Sequence, residues 1–114
     1  MAKYETTLTG DFRGLLAYLQ QGILDGSVSA SLEDGSDFEM GGVRCAVRVF
    51  ERYSYLGKNR LSLTLTLLGD GKSLRLSAIA SGGSQAIFFK INTFGEQAFL
   101  DRLIALVDAW RRRG

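Results

Sequence analysis

The chain contains no histidine and no proline, and it has a single cysteine, Cys45. Each shortage excludes something. Without histidine the sequence lacks the commonest metal ligand and the commonest general base near neutral pH. One cysteine cannot build an internal disulfide framework or, without histidine, a structural zinc site, and it fits a reducing compartment. Without proline, turns fall to glycine, of which there are 14. No uninterrupted apolar run approaches the roughly 18–20 residues that a membrane-spanning helix requires. The opening MAKYETTLTGD is polar and charged where a secretory leader carries its apolar region, so a cytoplasmic protein without a membrane segment is expected.

What is present is an ordinary globular balance: 114 residues, 46% apolar and 23% charged. That length suits one domain spanning 1–114, able to bury roughly 65% of the surface its unfolded chain exposes. The composition excludes intrinsic disorder. A net charge of +2 conceals a segregation: residues 1–40 carry two basic and seven acidic groups, residues 41–90 eight basic and two acidic. Such asymmetry can steer a partner or complement a second copy of the chain. Acidic and basic parts lying side by side in one fold would cancel it equally well.

Residues 2–9 are expected to form a first strand. Asp11 is placed to cap a helix in which Phe12, Leu15, Leu16, Leu19 and Ile23 make one apolar stripe, with Gly26 at its C-terminal end. Val28, Ala30 and Leu32 alternate with serines and Glu33 as a second strand, and the acidic, glycine-bearing stretch 34–42 is expected to be a loop. In the next strand Val43, Cys45, Val47 and Val49 take the face expected to be inward, with Arg44, Ala46, Arg48, Phe50 and Arg52 on the other. After a turn at Gly57-Lys58-Asn59, Leu61, Leu63, Leu65 and Leu67 alternate with Ser62, Thr64 and Thr66, the clearest strand pattern in the chain. Asp70-Gly71 is a hairpin turn, because both types tolerate positive φ, and the return strand offers Leu74, Leu76, Ala78 and Ala80 inward. The segment SGGSQ (81–85) breaks the sheet and 86–91 is a short strand. Thr93 and Glu96 have capping-box spacing ahead of a helix whose apolar side is Phe99, Leu100, Leu103, Ile104, Leu106, Val107 and Trp110.

The expected fold class is therefore α+β: an antiparallel sheet of about five strands with two helices packed on one face, because a sheet with one dry face needs cover. Phe12, Leu16, Leu19, Leu63, Leu65, Leu76, Phe99, Leu103 and Val107 form the expected core. The β-α-β-β-β-β-α order resembles the TATA-box-binding-protein-like class and, with longer cavities, helix-grip folds, a likeness of element order rather than of motif. The stretches GGVRCAVRVFERYSYLGKNR (41–60) and SAIASGGSQAIFFKINTFGE (77–96) resemble a small bacterial single-domain family of unknown function. That resemblance covers nearly the whole chain, implies a cytoplasmic bacterial protein, and carries no catalytic motif to transfer.

Three constellations are candidate sites. On the expected registers, Arg44, Arg48, Arg52 and Arg75 surround Phe50 on an outer face of serine and threonine. Arginine with an aromatic suits an interface or an anion, and a plain solvated sheet face is the competing reading. Glu51 and Tyr53 continue the inward parity of Val49, so with the glycine turn Gly82-Gly83-Ser84 they suggest a polar pocket corner; twist beyond the helical cover would instead leave them in water. Cys45, between valines, is expected to be a buried inert thiol.

No cofactor and no metal are expected, and no pair of activated groups stands at motif spacing. The expected function is a non-enzymatic interaction module that forms a homodimer through its sheet, basic stripe against the acidic 33–39 segment. A small-molecule binder for an apolar or anionic ligand is the alternative. Nucleic acid bound by the arginine face is the weaker rival, since such domains are usually more basic overall.

Overall fold

A computed structural model describes residues 1–54, 59–82 and 89–113, with 89–94 described by their backbone. The elements are β1 (Ala2–Thr9), α1 (Phe12–Asp25), β2 (Ser31–Met40), β3 (Val43–Tyr53), β4 (Arg60–Asp70), β5 (Ser73–Gly82) and α2 (Phe89–Arg112). They form one antiparallel five-stranded sheet in the order β1-β5-β4-β3-β2 with two helices, the expected α+β class and element order.

Asp11 caps α1, its Oδ2 accepting the Gly14 amide at 2.7 Å. The helix buries Phe12, Leu15, Leu19 and Ile23, and α2 buries Phe99, Leu100, Leu103 and Val107. Both stripes close on Leu61, Leu63, Leu65 and Leu67 of β4 and on Leu74, Leu76, Ala78 and Ala80 of β5. Eight of the nine expected core residues are fully buried, while Leu16 packs half-buried at the rim. Two cross-links tie the helices together. Arg102 donates to Gly22 O through Nε (3.0 Å) and Nη2 (2.9 Å), and the Tyr18 hydroxyl donates to Leu106 O at 2.7 Å. α2 lies over β5, β1 and β4, and α1 over β4, so β2 extends beyond the helical cover. That overhang explains a radius of gyration of 14.4 Å where a compact chain of this length has about 13 Å.

Four local expectations are corrected. Residues 34–40 are strand rather than loop, because Gly41 (φ +59°) and Gly42 (φ +82°) make a two-residue turn that pairs Met40 with Val43. The 27–34 strand starts only at Ser31, and Val28 stands fully exposed before it. The hairpin after β4 turns on Gly71-Lys72, one residue later than expected, with Asp70 paired to Ser73. α2 already runs from Phe89, so 89–91 are helical rather than strand and Thr93 is no cap; residues 86–88 lie outside those described.

The largest correction concerns β3. Ser54 N donates to Asn59 O, so the connection spans 54–59 and Arg52 pairs with Leu61. The observed pairing lies three residues from one matching Ser54 with Ser62, and an odd shift exchanges the faces of the whole strand. Phe50 and Ala46 are therefore buried under the helices, and Val43, Cys45, Val47 and Val49 face away from them. The physical preference is for burying the large Phe50 ring while the flanking arginines lay their stems along apolar rims and keep their heads in water.

Candidate interaction surface

Cross-strand partners define the rows of the helix-free face. One row runs Thr7, Arg75, Leu68, Cys45, Phe38 from β1 to β2; the next toward the sheet centre runs Glu5, Ser77, Thr66, Val47, Ser36. A third is Lys3, Ile79, Thr64, Val49, Asp34. Val43, Cys45, Val47 and Val49 form its apolar spine, half-exposed. Beside them on the edge strand Phe38 is 59% and Met40 84% exposed, with Leu68 and Ile79 also exposed. A continuous apolar strip on an uncovered sheet face marks a docking surface rather than scattered surface residues.

The sequence-level arginine stripe does not assemble. Arg44, Arg48 and Arg52 share the helix side with buried Phe50, whereas Arg75 is on the bare face. Arg44 stacks 4.6 Å from the centroid of Phe12 and Arg52 4.4 Å from that of Phe99, and burial pushes the Arg52 guanidinium below its ordinary value. Arg48 is a strut. Its Nη2 donates to Asp37 Oδ1 and Oδ2 at 2.9 and 3.1 Å, its Nη1 to Val47 O at 2.9 Å, and its Nε to Gln20 Oε1 at 3.3 Å. It ties the overhanging β2 to α1, and Gly35 opposite leaves its stem room: a Cβ there would lie 3.1 Å from Arg48 Cδ.

The expected pocket corner does not assemble either. Glu51 and Tyr53 lie on the bare face while Gly82, opposite Leu61, is on the helix side; Gly83 and Ser84 lie outside the described residues. Glu51 Oε1 is 2.6 Å from the Arg60 guanidinium, which also reaches Glu33 and lies over the Tyr53 ring. The hydrogen bond to Glu51 leads the causes that raise Arg60 above its ordinary value. Cys45 is half-exposed on the bare face rather than buried, for the same parity reason.

Two features were missed in the sequence. Glu96 is buried, and its Oε2 lies 2.5 Å from the Met1 ammonium as an ion contact without an aligned hydrogen bond. A cleft of about 640 Å³ opens at the β1–β5 end, with Thr7, Thr9, Ser73, Arg75, Trp110 and Arg111 among its lining. The exposed strip itself was legible only through Gly41-Gly42, whose adjacency is the turn signal that extends β2 through Phe38 and Met40. Among the described residues no group of three or more His, Cys, Asp or Glu side chains is placed to hold a metal ion, and no helix is long and apolar enough to cross a membrane.

Fold and surface together define a small α+β domain whose single sheet is covered by helices on one side and bare on the other. Over residues 1–111 the chain matches the model described as a family of unknown function, DUF6054, and it belongs to that family. No curated protein and no solved structure matches it, and the likeness to the TATA-box-binding-protein-like class remains one of element order.

Proposed function

We propose that this protein is a non-enzymatic interaction module of the bacterial cytoplasm that self-associates through the bare face of its sheet. The observation that carries the reading is the Val43–Cys45–Val47–Val49 spine with Phe38, Met40, Leu68 and Ile79 exposed around it. Five strands about 4.8 Å apart and about nine residues long offer about 700 Å² per copy, so two copies bury about 1,400 Å², a standard interface. The edges are poor alternatives. β2 carries Glu33, Asp34, Asp37 and Glu39, which repel a second β2, and Arg111 donates to Thr7 O at 2.8 Å along β1. Chemistry has little support: Glu51 is engaged by Arg60, and Cys45 sits between Phe38 and Leu68 in its row.

Sedimentation of the wild type and of Val47→Glu is the test. A dimer that becomes a folded monomer on substitution supports the reading; a wild type that stays monomeric at about 100 µM, weaker than most specific interfaces of this size, overturns it. The cleft beside Arg75 and Arg111 favours a second reading, a small anionic ligand. Native mass spectrometry of the purified protein separates the two, since a retained anion of defined mass supports only the second.

A further inference from the structure

We infer, resting on the self-association proposed above, that the contact between the two copies is centred on Cys45 rather than on the middle of the sheet, so that the two Cys45 thiols face each other. The bare face is not uniform. The positions next to Cys45 on its own strand are Val43 and Val47, and those across from it are Phe38 on β2 and Leu68 on β4. The four diagonal positions are Met40, Ser36, Thr66 and Asp70. Five of these eight neighbours are apolar and only Asp70 is charged. Thr64, near the middle of the sheet, has three apolar neighbours, Val47, Val49 and Ile79, and the charged Glu51. Lys3, Glu5, Arg60 and Arg75, the other charges that share this face with Asp34, all lie outside the ring around Cys45.

A stable contact puts its apolar patch at the core and polar groups at the hydrated rim. In an isologous contact the twofold axis passes through the centre of the patch, so a residue there meets its own copy. That meeting does not depend on the direction of the axis. With the axis along β3, Phe38 of one copy covers Leu68 of the other. With the axis across the strands, Phe38 and Leu68 each cover themselves and Val43 covers Val47. Apolar groups meet apolar groups in both arrangements. Asp70 falls over Met40 of the other copy in the first and over Thr66 in the second, and in neither over itself. A patch with so little charge needs no opposite charge from its partner, which is why a second copy of the same surface fits it. Facing sheets lie about 10 Å apart with their side chains interdigitated, so two thiols at the axis come within reach of each other.

Cys45 is the only cysteine, so a short bismaleimide that joins thiol to thiol can link only Cys45 to Cys45, and the wild type carries its own probe. The test treats the reduced protein with that reagent at a concentration where sedimentation shows a dimer, with circular dichroism confirming the fold of each variant. Most of the wild type should become a covalent dimer, and Val47→Glu should lower the cross-linked fraction by about tenfold or more. The double variant Thr64→Cys/Cys45→Ser moves the thiol to the middle of the sheet and should cross-link several-fold less than wild type. A dimeric wild type that yields no more product than Val47→Glu, or no more than the double variant, overturns the centring on Cys45 and leaves self-association standing. A monomeric wild type overturns both.

Discussion

Arg48 shows how far a side chain's identity is from its role. As one of several arginines on a strand it suggests an anion-binding face, yet it spends its donors on Asp37, Gln20 and the Val47 carbonyl. Its side chain is 15% exposed and that of Asp37 is 64% exposed, so solvent screening discounts the pair. Arg48→Met, which keeps the stem, should lower stability by about 1 kcal/mol in urea denaturation and speed amide exchange in β2. Unchanged exchange there would mean that the strut is not what holds the overhang. Glu51→Gln carries the opposite expectation. It removes a partner of exposed Arg60 at the surface, so the urea midpoint should stay within measurement error. A marked gain in stability would show a strained carboxylate. What the sequence conveyed at this scale was chemistry without address: Arg44, Arg52 and Glu51 were identifiable as groups needing partners, but Phe12, Phe99 and Arg60 as those partners follow from the fold.

At the scale of elements, periodic segments were legible and connections were not. α1, β4 and β5 follow their apolar periods closely. β2 has almost no apolar period because, from Leu32 to Met40, it is exposed on both faces, so its polar composition imitates a loop. Its turn is open to a direct check. Gly41→Asn should be neutral, as asparagine tolerates a left-handed backbone, whereas Gly42→Ala should cost about 1 kcal/mol. Equal effects in thermal unfolding would argue against the two-residue turn. Inside the sheet, Gly69 serves packing: a Cβ would sit 2.5 Å from Phe12 Cδ2, at the seam between β4 and the start of α1. Gly69→Ala should therefore destabilise the protein by about 1–3 kcal/mol, and a neutral outcome would show that Phe12 swings aside freely.

For the whole molecule, the decisive property is asymmetry between the faces of one sheet. The helices saturate the inner rows and leave the outer ones with valines, Phe38, Met40 and Leu68 in contact with water. If a second copy covers that face, the midpoint of thermal unfolding should rise with protein concentration in the wild type and be independent of it in Val47→Glu. Concentration-dependent midpoints in both would place the dimer interface away from this strip, and concentration-independent midpoints in both would mean that no dimer forms.

The sequence by itself determined the class, the element order, the single core and the inward sets of β4 and β5, since those depend on local period, caps and turn residues within one stretch of chain. Only the tertiary structure decided which face of β3 is dry. Both of its faces carry apolar residues, valines and Cys45 on one, Ala46 and Phe50 on the other, so alternation alone leaves the two orientations close in burial. The choice falls to the length of the 54–59 connection and to the fit of Phe50 beneath the helices, long-range quantities that no local pattern contains. Because a strand's period is two, that one choice moved three arginines to the helix side and exposed the valine spine on which the proposed function rests.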